Sequence, residues 1–215
     1  MADMKAEKRK RAGTGRASEP EASVREQILA AAKTEFARLG LRGASVRGIA
    51  SGAGVTPAMI NYHFQGKLGL YKEVVEAALQ GLMVHLSGAL LPDKRGGLGP
   101  ALAGAYFDFL CQERELQRIM VHEVLAGGGV LPAIVQRHLL PLRALLQGRF
   151  GKGQRTFQSA VTLFGAVAGY FLYAPVLAEL TGEDPLEEAA LARRRRHVVA
   201  LARDLSGEAK IGKGG

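Results

Sequence analysis

The stretch SVRGIASGAGVTPAMINYHFQGKLGLY, residues 45–71, decides how the rest of the chain is read. Three glycines, Gly48, Gly52 and Gly54, crowd its first half, and Pro57 follows closely. Ser45 carries the short hydroxyl side chain that caps helix starts. The spacing therefore predicts a short helix over VRGIASGAG, with Ile49 and Ala50 facing inward and Arg47 outward. Gly54 adopts positive φ at little cost, which permits a tight turn at once. Thr56 is placed to cap the next helix through its hydroxyl, and Pro57 suits the first helical position, where its missing N–H is not needed. Two short helices joined by a tight turn form the layout in which the second helix enters the major groove of DNA. The early break sets the angle between the helices. Asn61, Tyr62 and His63 then put polar and aromatic groups on the second one.

Charge supports a polyanionic partner. The chain has 215 residues and a formal net charge of +9. Residues 1–75 hold 13 Lys and Arg against 7 Asp and Glu, so about a third of the chain carries six of the nine excess charges. Cys111 is the only cysteine, which excludes an internal disulfide and fits a reducing cytoplasm. The N-terminus lacks the apolar core of a signal peptide. The longest apolar run, 165–178, is too short to span a bilayer and contains Pro175. A soluble, cytoplasmic protein with no membrane partner is expected.

Hydrophobic spacing is helical from residue 23 almost to the end. Ile28, Leu29, Ala32, Phe36 and Leu39 share one face, and Gly40 is a natural stop. No segment alternates with period two. Breaks fall near 92–100, 126–132, 151–154 and 181–185, where Gly, Pro and Asp collect. The expectation is an all-α chain of about nine helices. Residues 1–20 are too poor in large apolar side chains to offset ordering entropy and read as a disordered basic tail. Residues 21–72 form the helix–turn–helix domain, 73–207 a second helical domain, and 208–215 a disordered tail. The basic run Lys5–Arg16 is either an arm along DNA or a solubilising end.

The segment ILAAAKTEFARLGLRGASVRGIASGAGVTPAMINYHFQGKLGLY, residues 28–71, resembles the N-terminal domain of the TetR family of transcriptional regulators. The resemblance is carried by the alanines and Phe36 of the first helix, by Gly40, by SVRGIASGAGVT and by HFQGKLGLY, and it covers roughly residues 24–75. Two positions depart from the family's pattern. Asn61 stands where Tyr is commonest, and Gly69 replaces a commoner acidic or polar residue. The resemblance implies a three-helix DNA-binding domain and a C-terminal helical domain that binds a small effector and forms a homodimer. It implies a transcription regulator, most simply a repressor released from a palindromic operator by a lipophilic molecule.

Roles follow from chemistry. Thr56, Ala58 and Met59 suit contact with thymine methyls, and the Thr56 hydroxyl can bond a base or a phosphate. Asn61 belongs to the same DNA-facing set. Tyr62, His63 and Lys67 are phosphate candidates, with Ser45 and Arg47 at the start of the preceding helix. His63 alternatively packs over Phe64, which is read as core. Lys67 also opens the fourth helix, where free N–H groups welcome an anion.

Further along, Phe107, Cys111, His122, Glu123, Phe164, Tyr170 and Tyr173 are the candidate effector pocket: aromatic walls with a few polar groups. Aromatic residues at helical spacing also make plain core, and Glu123 and His122 alternatively pair with Arg114 or Arg118. Gly165, Ala168 and Gly169 let another helix approach closely. Leu191, Val198 and Leu201 lie on an apolar face of the last helix. Together they are the candidate dimer interface. Arg193–Arg196, a run of four arginines, is either a second DNA site or a solvated face with snorkelling stems.

Enzyme motifs are missing: no HExxH, no phosphate-cradling glycine loop after a strand, no GxSxG. His85, His122 and His138 are scattered, so neither a metal nor a cofactor is expected. An effector-free architectural DNA-binding protein is the main rival, and a helical enzyme the lesser one.

Overall fold

The computed structural model describes residues 19–90, 97–151 and 153–206. Among them every regular element is helical. The elements are α1 (Glu19–Gly43), α2 (Val46–Ala53), α3 (Pro57–Phe64), α4 (Lys67–Ala89), α5 (Leu98–Gln112), α6 (Arg114–Leu125), α7 (Leu131–Ile134), a π-helical turn (Val135–Leu139), α8 (Leu140–Phe150), α9 (Gln154–Leu172), α10 (Ala174–Thr181) and α11 (Glu188–Ser206). The two tails and the basic run Lys5–Arg16 lie outside the described residues, except that α1 already begins at Glu19.

Segmentation is finer than the sequence suggests. A corner at Glu113 divides α5 from α6 without glycine or proline, and the Glu113 carboxylate pairs with Lys33 of α1. The π turn joins α7 to α8 and buries His138, whose Nε2 meets Glu76 Oε2 of α4 at 3.0 Å. α10 leaves α9 at a 68° bend, with Pro175 in its first turn, where a missing N–H does no harm. Gly40 interrupts α1 with a non-helical backbone, φ 67°, ψ 176°, as a stop would, and a last short helical turn follows to Gly43. A Cβ at Gly40 would sit 3.2 Å from the ring of His122, so close approach and backbone conformation both favour glycine.

Two hydrophobic cores result. The first gathers Ile28, Ala32 and Phe36 of α1, Ile49 and Ala50 of α2, Ile60 and Phe64 of α3, and Leu70, Tyr71, Val74, Val75 and Leu79 of α4. Ile119, Val130 and Ile134 join it from α6 and beyond. The boundary expected at 72–73 thus falls inside one continuous helix, and the first core runs across it. The second core holds Ala103, Phe107, Phe109 and Leu110 of α5, Leu116 of α6, Val167 and Phe171 of α9, and Val198 and Ala202 of α11. Leu82 and Met120 pack against both.

Candidate nucleic-acid interface

Helix α2 starts as its sequence predicts. Ser45 is extended (φ −121°, ψ 146°), and its Oγ accepts the Gly48 N–H at 2.9 Å. Ile49 and Ala50 are buried, and Arg47 is exposed. Gly54 closes the helix in the left-handed region at φ 67°, ψ 28°, its N–H bonding back to the carbonyls of Ala50 and Ser51. Thr56 departs from expectation. Its backbone is extended and begins α3 in the N-cap position, but its hydroxyl makes no capping bond. The N–H that such a cap would serve, that of Met59, bonds the Thr56 backbone carbonyl instead at 3.1 Å.

Helix α3 has two unlike sides. Ile60 and Phe64 are buried in the first core, while Thr56, Ala58, Asn61 and Tyr62 are exposed, Tyr62 at 78%. Burial of one side fixes the helix and leaves the other bare. Met59 is half-buried and packs against the first core, which limits its reach outward. His63 is half-buried between its neighbours. Its ring lies edge-on to Tyr62 at 4.9 Å and 6.1 Å from Phe64. The guanidinium of Arg25 lies over the Phe64 ring, 5.2 Å from its centre.

The α3–α4 corner is tight. Gln65 sits at φ 58°, the one positive-φ residue other than glycine among the described residues, and Gly66 follows at φ 97°. A Cβ on Gly69 would overlap the Phe64 carbonyl oxygen. This accounts for the glycine that departs from the family's pattern: the first turn of α4 presses against the end of α3. Lys67 is half-buried, and its Nζ donates to the Ala44 carbonyl at 2.8 Å, tying the start of α4 to the loop before α2. An ammonium has three N–H donors, so two stay free for an anion.

Behind the interface, α4 and α6 meet at a buried carboxylate. Glu123 is 4% exposed. Its Oε2 accepts the Tyr71 hydroxyl at 3.0 Å and its Oε1 accepts the Val130 N–H at 2.6 Å. Tyr71 also packs edge-on to Phe36, with ring centres 5.0 Å apart. Burial, then the hydrogen bond to Glu123, push the Tyr71 hydroxyl well above its ordinary range. The sequence gives no sign of this joint, because its two side chains are 52 residues apart.

The seven candidate pocket residues do not converge. Glu123 and His122 face the first core and the kink at Gly40, not Arg114 or Arg118. Phe107 lies in the second core, where Cys111 and Tyr170 pack against it. Burial, the largest of several influences, raises the Cys111 thiol above its ordinary value. Phe164 and Tyr173 are exposed at 62% and 59%, with Phe164 stacked on Tyr106 at 5.7 Å. Of the set, Tyr170 alone lines either of two clefts, one between α9, α10 and α11 and a smaller one between α1, α4 and Glu113. Aromatic spacing marks core at Phe107 but open surface at Phe164 and Tyr173.

The dimer candidates also divide. Gly165 is exposed with open space around it, and Gly169 is open where a side chain would be. Ala168 and Leu191 pack against the second core, and Leu201 is half-buried. Val198 is fully buried within its own subunit and offers nothing to a partner. The arginine run is mostly occupied internally. Arg193 pairs with Glu183 at 3.3 Å, Arg194 donates to the Ala166 carbonyl at 2.6 Å, and Arg195 grips Asp108 with two bonds of 2.7 Å. Arg196 is exposed. No group of three or more His, Cys, Asp or Glu among the described residues could hold a metal ion. No single helix among them is long and apolar enough to cross a membrane.

Known proteins share this arrangement. Residues 28–74 match the family model for bacterial regulatory proteins of the tetR family. Over 58 residues the chain is 43% identical to the HTH-type transcriptional regulator BetI of Vibrio vulnificus (strain YJ016), covering 27% of this chain and 29% of that protein. It is 28% identical over 136 residues to the "Probable HTH-type transcriptional regulator YttP" of Bacillus subtilis (strain 168), covering 62% of this chain and 66% of that protein. The chain thus spans just under two thirds of one curated relative and less than a third of the other. The fold is similar to a TetR-like transcriptional regulator from Rhodococcus sp. RHA1 (TM-score 0.63, 19% identity, 86% of this chain and 96% of that one). It is also similar to the TetR family transcriptional regulator PfmR from Thermus thermophilus (TM-score 0.61, 20% identity, 83% and 95%). With α2, its turn and α3 at the centre of the matched residues, the N-terminal part of the chain is similar to the DNA-binding domain of tetR-family bacterial regulatory proteins, and the whole chain shares the fold of solved TetR-like regulators.

Proposed function

We propose that this protein is a DNA-binding transcriptional regulator of the TetR family, a repressor that binds an inverted repeat as a homodimer. The observation that carries the reading is α3, held by Ile60 and Phe64 on one side and bare at Thr56, Ala58, Asn61 and Tyr62 on the other. Those exposed groups read base edges, while Ser45, Arg47, Tyr62, His63 and the free donors of Lys67 hold phosphates. One α3 reads one half-site, so two-fold protein symmetry calls for two-fold DNA symmetry, with the two helices about 34–36 Å apart. The second copy docks on the apolar side of α9 and α10, where Phe157, Val161, Phe164, Tyr173, Val176 and Leu180 are exposed beside Gly165. Fluorescence anisotropy with DNA from upstream of the gene tests this. Full affinity for an isolated half-site by a monomer in light scattering would refute it.

Release by a lipophilic effector belongs to the same proposal. The ligand would enter the second core near Phe107, Cys111 and Tyr170, and α4 would carry the change to α3. Coupling of this kind is typically about 1–3 kcal/mol and is reciprocal, so operator DNA must weaken effector binding by the same factor. The dispersal of the expected pocket residues favours the rival reading, a DNA-binding protein without an effector. Calorimetric titration with and without operator separates the two.

A further inference from the structure

We propose that the cleft between α9, α10 and α11 is a binding site for a small organic carboxylate, with Arg194 as the anchor of its head group. The cleft has a volume of about 310 Å³ and is walled by Tyr170, Leu177, Ala190, Arg193, Arg194 and His197, with Glu183 and Asp184 among the other lining residues. Its charges are not equally satisfied. Arg193 is paired with Glu183. Asp184 Oδ1 accepts the Leu186 N–H at 2.8 Å, which commits it to the turn before α11. The next arginine along, Arg195, has both oxygens of Asp108.

Arg194 differs from both of its neighbours. Its guanidinium lies over the Tyr170 ring, 5.1 Å from the ring centre, and its one hydrogen bond among the described residues runs to the Ala166 carbonyl. Its Nε is buried without a hydrogen-bond partner. A neutral carbonyl does not balance a cation, and a buried donor left unmade is costly. A carboxylate in the cleft supplies the negative charge that the Ala166 carbonyl lacks. His197, one helical turn on, lines the same cleft and brings a second nitrogen donor. Leu177, Ala190 and Pro185 give the apolar surface for a short hydrocarbon or aromatic body. Tyr170 holds the shape: its hydroxyl donates to the Pro185 carbonyl at 2.6 Å, so it pins the turn and is not itself the anion's donor. Carboxylate binding here does not depend on DNA release.

The test is calorimetric titration of the full chain with octanoate and benzoate, beside octanol as the uncharged counterpart. Octanoate and benzoate are expected to bind and octanol much more weakly. Arg194→Gln should weaken octanoate binding roughly 30-fold or more, the scale for removing one partner of a hydrogen-bonded charge pair. Arg196→Gln, on the exposed side of the same helix, should leave it unchanged. If Arg194→Gln does not fold, His197→Gln, a change at a more exposed position, must weaken octanoate several-fold. Octanol binding as well as octanoate would overturn the proposal. So would equal octanoate affinity in the wild type and the Arg194 and His197 variants, or no heat from either carboxylate at millimolar concentration.

Discussion

Helices α3 and α9 each leave one side uncovered, and the two sides are of opposite kinds. The bare side of α3 carries Thr56, Asn61 and Tyr62, groups that can hydrogen-bond. The bare side of α9 carries Phe157, Val161 and Phe164, groups that gain only by leaving water. Exposure alone therefore names no function. On the proposed function, the chemistry of the exposed side selects the class of partner: base edges and phosphates for one, another apolar surface for the other. Each is pinned from behind by its own core, Ile60 and Phe64 under α3, Val167 and Phe171 under α9.

The largest test of this contrast is to give α9 the wrong chemistry. Val161→Glu with Phe164→Glu should leave a folded monomer by light scattering. Affinity for an inverted repeat should then fall by about 100-fold or more, because the second half-site is no longer tethered to the first. A fully dimeric double variant would move the interface elsewhere.

Next comes the support beneath α3. Gly69→Ala drives a methyl into the Phe64 carbonyl and should cost about 1–3 kcal/mol of stability in urea unfolding. An unchanged midpoint would mean that the α3–α4 corner relaxes freely. Tyr71→Phe is gentler. It removes one of the two donors to the buried Glu123 carboxylate and should cost about 1–2 kcal/mol without touching the DNA-facing side.

Lys67→Ala separates two roles of one side chain. Loss of the bond to the Ala44 carbonyl should cost about 1 kcal/mol of stability. Loss of a phosphate contact should lower the salt slope of DNA binding by about one, equally on all sequences. A stability loss with an unchanged slope would make Lys67 structural only. Tyr62→Ala should change stability least, within about 0.5 kcal/mol, since its ring is exposed, yet it should weaken operator binding.

What could be read from the sequence was local. Gly54 and Pro57 dictate their backbone whatever surrounds them, so α2, the turn and α3 were legible with their inward and outward faces. The corner at Glu113 and the π turn at His138 were not. Each has a partner far along the chain, Lys33 for one and Glu76 for the other, and no local residue marks them. The same limit scattered the pocket candidates. Helical spacing puts Phe107 and Tyr170 inside something, but only packing tells a filled core from a cavity. Val198 shows the converse, since an apolar stripe on α11 does not say whether its own subunit or another covers it.

The joint at Glu123 also works as a clock. Three glycines, Gly127, Gly128 and Gly129, precede Val130, and a loop so composed ordinarily exchanges its amide hydrogens quickly. Yet the Val130 N–H is buried and held by Glu123 Oε1. It should exchange slowly against the fast background of its neighbours, at the frequency with which α4 and α6 part. One amide would then report opening between the end that holds α2 and α3 and the remainder of the molecule, and Tyr71→Phe should quicken it.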